Sequence, residues 1–363
     1  MNLKIDKPIR LIELFAGIGS QAKALERLGV NFEHYRVCDF DKYAVKSYNA
    51  IHGTDFATSD ITQITAEDLG IVDTEKFCYL LTYSFPCQDL SLAGKQKLMA
   101  KGSGTRSSLL WEVERLLNEC DELPQVLLME NVTQVHGTKN KAHFEDWIAF
   151  LESKGYSNYW KDLNAKNFGI PQNRNRTFMV SILGNYTYEF PKDFPLELRL
   201  KDLLEDAVDE KFYLSNIQMD KIVNWKAQQK PFEKVLGKES IVQTITARGA
   251  GEYHSGMIVY SPENENTTNM QAQILKVCSI NSSQDGVVVD AEGISPTQNR
   301  QVKIQQSSLR IRKLTPKECW RLMGFDDADF EKAARVNSNT QLYKQAGNSI
   351  VVDVLYYIFR EML

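Results

Sequence analysis

Over the first half of the chain, short apolar runs alternate with stretches whose apolar residues fall at helical spacing. Arg10–Phe15 (RLIELF), Tyr35–Cys38, Phe77–Thr82 (FCYLLT), Gln125–Met129 (QVLLM) and Thr177–Leu183 (TFMVSIL) have the length and composition of buried strands. Gln21–Leu28, Lys42–Ile51 and Ser108–Leu117 carry the helical period between them. Strands alternating with helices predict a doubly wound, mostly parallel α/β sheet. After Tyr188 the pattern changes. Residues 189–308 are richer in Gln, Asn, Ser and Gly, with short β-like runs such as Ile241–Thr246 and Gly286–Val289. This predicts a second, smaller β-rich domain inserted between 1–188 and 309–363. Thr315–Met323 predicts a helix with Thr315 as N-cap, Pro316 at its first position and Gly324 as its stop. The apolar segment Ile350–Met362 predicts a last helix that returns to the first domain.

Composition narrows the function classes. The chain has 363 residues, 43% of them hydrophobic, enough for one large domain and a smaller one. No apolar run reaches the ~18 residues of a membrane helix. The first residues lack the layout of a secretion signal, so the expectation is a cytoplasmic protein. The six cysteines, at 38, 78, 87, 120, 278 and 319, form no Cys-x-x-Cys pair, and the five histidines do not cluster with them in sequence. Neither a zinc site nor a disulfide framework is indicated. A net charge of −4 argues against an indiscriminate polyanion binder, but the charge is uneven. Arg300–Arg321 holds seven Lys/Arg against one acid, and Ser91–Arg106 holds four bases and none. Beside the motifs below, such runs suit phosphate contacts.

Four motifs carry chemistry. Phe15-Ala-Gly17-Ile-Gly19 follows the first strand. Glycines at a strand-to-helix turn let the backbone approach a ligand, although a lone Gly-x-Gly also fits an empty tight turn. Ala22 stands where a dinucleotide fingerprint has its third glycine, which argues against a nicotinamide enzyme. Asp39 ends the second strand, where a ribose-binding carboxylate belongs; Phe40 offers an aromatic face and Asp60 an acceptor for an adenine amino group. Phe85-Pro86-Cys87-Gln88-x-Leu90-Ser91 follows the run FCYLLT, which puts a thiol at a strand tip. Glu130-Asn131-Val132 puts a carboxylate at the next tip, and Gln172-Asn173-Arg174-Asn175-Arg176 alternates arginines in a strand-like segment.

In this order and spacing the motifs resemble the cytosine-5 DNA methyltransferase family. Arg312-Lys-Leu-Thr315-Pro316-x-Glu318 and Gln345-Ala-Gly347-Asn348-Ser349 extend the resemblance to the C-terminus; only about Tyr188–Ser308 lies outside it. The resemblance implies an α/β S-adenosylmethionine-dependent fold, with residues 189–308 as target recognition domain, and a metal-free reaction on a cytosine flipped out of duplex DNA. It implies Cys87 as the thiolate that adds to C6, Glu130 on N3 and the exocyclic amine, Arg176 on O2, and Arg174 supporting the same pocket. Phe15, Gly17 and Gly19 would take the methionine end of S-adenosylmethionine, Asp39 the ribose, Phe40 the adenine face, and Asp60 with Ile61 its edge. Pro86, Leu109, Asn348 and Ser349 would complete that pocket. Asp39 and Phe40 depart from the family's frequent Glu and Trp.

Gln88–Arg106 is similar to the family's catalytic loop, which makes Gln88, Ser91, Lys95, Lys97 and Arg106 candidate DNA contacts. The family sets a Thr of the recognition domain behind the flipped nucleotide. Thr244 and Thr297 both fit, in the weakly similar segments IVQTITAR and GISPTQNR, and the sequence leaves the choice open. Arg248 and Arg300, which end those segments, are candidates for guanine or for phosphate. The expected setting is a monomeric enzyme at the nucleoid, of restriction-modification, orphan or phage type. A member of the fold acting on RNA is the rival reading, disfavoured by the roughly 120 residues of the recognition region.

Overall fold

The computed structural model describes residues 4–86, 90, 99–215, 235–236, 241–245, 258–262 and 309–363. Six strands form the main sheet: β1 (Ile9–Leu14), β2 (Phe32–Cys38), β3 (Cys78–Tyr83), β4 (Val126–Asn131), β5 (Tyr156–Asn164) and β7 (Asn175–Leu183), in the order β2-β1-β3-β4-β7-β5. The first four are mutually parallel, and β7 runs antiparallel to both β4 and β5. The sheet is buried on both faces, which is why its strands are continuous apolar runs. Leu11, Leu80, Leu128 and Val180 point into one core; Ile12, Leu81, Leu127 and Met179 point into the other.

Helices cover both faces. Among the described residues they are α1 (Ser20–Arg27), α2 (Lys42–His52), the single turn α3 (Ala66–Leu69), α4 (Leu110–Glu119), α5 (Lys141–Ser153), α6 (Pro316–Arg321), α7 (Asp327–Ala334), α8 (Asn339–Asn348) and α9 (Val352–Arg360). The return of the C-terminus is as expected: α9 packs on α1, burying Val354, Leu355, Ile358 and Phe359 in the same core as Leu25. Helix α6 starts as the sequence dictates. Thr315 accepts from the Glu318 backbone N–H, the Glu318 carboxylate accepts from the Thr315 N–H, and Gly324 ends the segment at φ +81°.

Two features were not anticipated. The strand run at 177–183 closes the sheet antiparallel rather than parallel, and β5 with its preceding helix α5 forms the sheet edge. β5 is mostly half-exposed and polar (YSNYWKDLN), as an edge strand can be, and so lacks the apolar signature. Of residues 189–308, only parts are described. The stretch to Phe212 packs on the core shared by α1 and α9, with Leu200 fully buried. Short strands β8 (Val235–Leu236) and β10 (Ile258–Pro262) pair with each other and β10 with β11 (Leu309–Lys313); β9 (Val242–Gln243) pairs with β6 (Gln172–Asn173). No helix among the described residues is long and apolar enough to cross a membrane.

Candidate active site

Sheet order puts the candidate residues on one edge. The chain leaves β1 outward to β2 and inward to β3, so the carboxyl ends of β1 to β4 frame a crevice where the order reverses. Phe15–Gly19 follow β1, Asp39 follows β2, Ser84–Pro86 follow β3, and Glu130 and Asn131 end β4. Because β7 is antiparallel, its first residues meet that same edge: Asn131 pairs with Thr177.

The turn after β1 is backbone-built. Phe15, Gly17 and Gly19 all have positive φ (60°, 58° and 80°), a conformation costly for the phenylalanine. Phe15 and Ala16 donate their N–H groups to the Cys38 carbonyl, and the Gly17 N–H donates to Asp39 Oδ2 at 2.8 Å. Asp39 Oδ1 accepts from the Asp41 N–H at 2.8 Å. Burial raises the Asp39 carboxyl pKa above its ordinary value, against the lowering effect of these two N–H groups. Phe40, next to it, is 69% exposed, an apolar ring left in water at the crevice. The 58–61 segment is tied alongside by the Ser59 N–H on the Asp39 carbonyl. Asp60 there accepts from the Thr62 N–H and hydroxyl, while Ile61 is buried. No atom lies within 4 Å of where a Cβ on Gly17 would sit, so the turn leaves open space at the backbone. An exposed ring, a half-buried carboxylate and an open glycine turn fit the parts of an adenosyl-amino-acid ligand. Leu109 is half-buried in the turn leading into α4, Asn348 is exposed at the end of α8, and Ser349 is buried just after it.

The second half of the edge is ionic. Glu130 is 8% exposed, and its Oε1 lies 3.2 Å from Arg176 Nε across the β4–β7 pair. Burial raises the Glu130 carboxyl above the usual carboxylate range, with the Arg176 and Arg174 guanidiniums pulling it back. The two arginines divide their work because the strand breaks between β6 and β7 at Arg174. Arg174 is buried and donates to the carbonyls of Ile245, Gly347 and Ser349 at 2.9, 3.1 and 2.8 Å. It ties the Gln345–Ser349 motif and the 241–245 segment to the sheet edge. Thr244 donates its hydroxyl to the Asn173 carbonyl at 2.9 Å, in that same contact.

Two residues the sequence reading gave no role hold the geometry. Asn131 donates its side-chain amide to the Phe85 carbonyl at 3.0 Å, and Ser107 donates its hydroxyl to the Pro86 carbonyl at 3.2 Å. The approach to Cys87 is thus clamped at both preceding residues. Asn131 stands inside the Glu-Asn-Val motif, so its position was visible; its partner, 46 residues away, was not. Arg106 is exposed at the start of the turn that carries Ser107. Cys87, Gln88, Ser91, Lys95, Lys97, Arg248, Thr297 and Arg300 lie outside the described residues.

A profile described as C-5 cytosine-specific DNA methylase matches residues 9–363. The chain belongs to that family. This methylase is 33% identical over 408 aligned residues to the type II methyltransferase M2.ScrFI of Lactococcus lactis subsp. cremoris, across 98% of this chain and 99% of the relative. It is 31% identical over 407 to the orphan methyltransferase M.SssI of Spiroplasma monobiae, across 96% of each. Among solved structures it resembles S. pombe Dnmt2 methyltransferase (TM-score 0.70, 21% identity, 98% of each chain covered) and the Entamoeba histolytica methyltransferase EhMeth (TM-score 0.72, 18% identity, 98% of each chain covered). At those identities the structural likeness establishes the α/β fold. Family membership makes the methylase a DNA (cytosine-5-)-methyltransferase, and DNA its substrate.

Proposed function

We propose that this methylase modifies a cytosine flipped out of duplex DNA through a covalent Cys87 adduct, with S-adenosylmethionine as methyl donor. The observation that carries the reading is the pair of buried Glu130 with half-buried Arg176, set at the strand edge beside the clamped Phe85–Pro86 lead into Cys87.

Cytosine C5 is a poor nucleophile until the ring's aromaticity is broken. Attack of the Cys87 thiolate forms a carbon–sulfur bond at C6 and pushes the C5=C6 electron pair into an enamine-like system. Glu130, with a raised pKa, is suited to donate a proton to N3 and to accept from the exocyclic amine as charge develops. Arg176, already beside Glu130, takes O2, and Arg174 fixes the backbone around them. S-adenosylmethionine, when bound, supplies an electrophilic methyl group that the activated C5 accepts. Transfer of the C5 proton to solvent water re-forms the C5=C6 bond as the C6–S bond breaks and Cys87 leaves as a thiolate.

Phe15, Gly17 and Gly19 would hold the methionine end of the donor, Asp39 its ribose, Phe40, Asp60 and Ile61 its adenine, and Pro86, Leu109, Asn348 and Ser349 the remaining wall. Asp39→Ala should weaken S-adenosylmethionine binding by roughly 1.5–3 kcal/mol, the worth of a hydrogen bond to a charged acceptor, and it also frees the Gly17 N–H. Calorimetry checks this; an unchanged affinity removes Asp39 from the pocket.

We assign 1–188 with 309–363 to catalysis and 189–308 to target recognition, the stretch to Phe212 packing on the catalytic core. Thr244 is the better candidate to support the flipped nucleotide, because it bonds the segment that carries Arg174 and Arg176. Gln88, Ser91, Lys95, Lys97, Arg106, Arg248, Thr297 and Arg300 complete the candidate DNA contacts. The setting we favour is a cytoplasmic monomer at the nucleoid, as the modification half of a restriction-modification system or as an orphan enzyme. Grafting 189–308 onto a relative of different specificity should transfer this protein's methylated motif. An active chimera that keeps the recipient's motif refutes the domain assignment. Methyl transfer from labelled S-adenosylmethionine tests the substrate: duplex DNA should accept label and tRNA should not, and the reverse overturns the reading.

A further inference from the structure

Behind the glycine turn, three elements bring together side chains that the methylation reaction does not use. Glu26 comes from α1, His34 from β2 and His52 from the last turn of α2. One ligand atom from each lies within 4.8 Å of the others. His52 Nδ1 is 2.6 Å from Glu26 Oε1, and His34 Nε2 is 3.9 Å from the same oxygen.

Hydrogen bonding fixes which ring nitrogens are bare. His52 Nε2 faces the Ile18 carbonyl at 3.2 Å; a carbonyl only accepts, so Nε2 carries the hydrogen. The Tyr48 hydroxyl donates to Glu13 Oε2 at 2.5 Å. Its oxygen is then the acceptor for His34 Nδ1–H at 2.9 Å, which leaves His34 Nε2 as a lone pair.

The His34 Nε2 lone pair, a Glu26 carboxylate oxygen and His52 Nδ1, which is hydrogen-bonded to that oxygen at 2.6 Å, therefore converge. A proton on His52 Nδ1 would satisfy the His52–Glu26 contact alone and leave the His34 lone pair facing the carboxylate. We propose that Glu26, His34 and His52 form a site for a divalent transition-metal ion of the zinc class. Tetrahedral zinc, with bonds of ~2.0–2.1 Å, sets its ligand atoms about 3.3 Å apart. The observed 2.6 and 3.9 Å lie on either side of that spacing. Each histidine gives its other N–H to an acceptor, Ile18 carbonyl or Tyr48 hydroxyl, the arrangement that orients ligating imidazoles. Lys23 approaches only the other Glu26 oxygen, Oε2, at 3.6 Å, and is itself held by Asp326 and Asp329 at 3.1 and 2.8 Å. Glu26 is a third exposed, so solvent can supply the fourth ligand. The site is structural rather than catalytic. It fastens α1, β2 and α2 together, and through His52 it backs the Ile18 carbonyl between Gly17 and Gly19. A Cβ on Gly19 would run into the His52 ring, which shows how closely the site abuts that turn.

The test is Co(II) and Zn(II) titration of the chelator-treated full-length protein. Co(II) should bind at one equivalent with the visible bands of nitrogen and oxygen coordination and without thiolate charge transfer, and Zn(II) should displace it. His34→Gln and Glu26→Gln, both at partly exposed positions, should weaken Zn(II) binding by roughly 100-fold or more and remove the metal-induced rise in Tm. S-adenosylmethionine binding by each variant confirms that it is folded. No saturable binding by the wild type overturns the proposal, and so does binding that survives in both variants or shows thiolate charge transfer.

Discussion

Cys87→Ala should lose methyl transfer by at least ~10⁴-fold, the scale on which removal of a covalent nucleophile registers in enzymes. Duplex DNA carrying 5-fluorocytosine at the target should trap the wild-type protein, because fluorine cannot leave C5 after methyl transfer, and should not trap Cys87→Ala. The described cysteines are poor rivals for physical reasons. Burial pushes the thiol of Cys38 up to about 11, of Cys78 to about 12 and of Cys120 to about 11, and raises Cys319 further. A thiol at those values is almost wholly protonated at neutral pH. Cys38→Ala, Cys78→Ala and Cys319→Ala should therefore still form the adduct, as denaturing electrophoresis of the trapped complex would show. An adduct that persists in Cys87→Ala assigns the nucleophile elsewhere.

The second large effect is on stability. Arg312 and Glu318 form a bidentate pair at 2.8 and 2.7 Å, with the side chains 4% and 0% exposed. The same carboxylate accepts the Thr315 N–H that opens α6 and the Glu205 N–H at 2.9 Å. The motif Arg312-x-x-Thr315-Pro316-x-Glu318 is thus a structural joint between the residues after 189 and the C-terminal helices. Arg312→Met leaves Glu318 buried without its counter-charge and should cost about 3–5 kcal/mol, a large share of the ~5–15 kcal/mol that holds a domain folded. Urea denaturation would show this as a lowered midpoint. A midpoint unchanged from wild type would mean that the joint is not desolvated in solution.

The legibility of the fold follows from burial. β1, β3 and β4 are apolar on both faces, and their runs were visible to within a residue or two. Helix α6 was visible because Thr315, Pro316 and Gly324 carry its signals locally. β5 was not, because an edge strand with exposed Trp160 and Lys161 buries only Tyr156 and Leu163, too few apolar positions to read as a run. Helix α5 did carry a signal, Phe144, Trp147 and Leu151 at helical spacing. The antiparallel direction of β7 depends on that unseen strand and so was hidden with it.

The site divides in the same way. Glu130, Asp39 and the Gly17–Gly19 turn could be placed because each directly follows or ends a readable strand. The resemblance had already given Arg176 and Arg174 separate tasks, but the partners of Arg174 could not be read, because they depend on a strand break and on carbonyls up to 175 residues away. The Glu26–His34–His52 cluster was invisible for a similar reason. Its members come from three elements at spacings that no metal motif shares, and only the packing of α1, β2 and α2 brings them together.

Bisulfite sequencing of DNA from cells expressing the protein tests the central claim most directly, since it reports the activity and its target together. The expected result is near-complete protection of one cytosine within one fixed sequence motif, lost when Cys87→Ala is expressed at the same level. DNA with no protected cytosine beyond the host background, or protection that survives Cys87→Ala, would contradict the account.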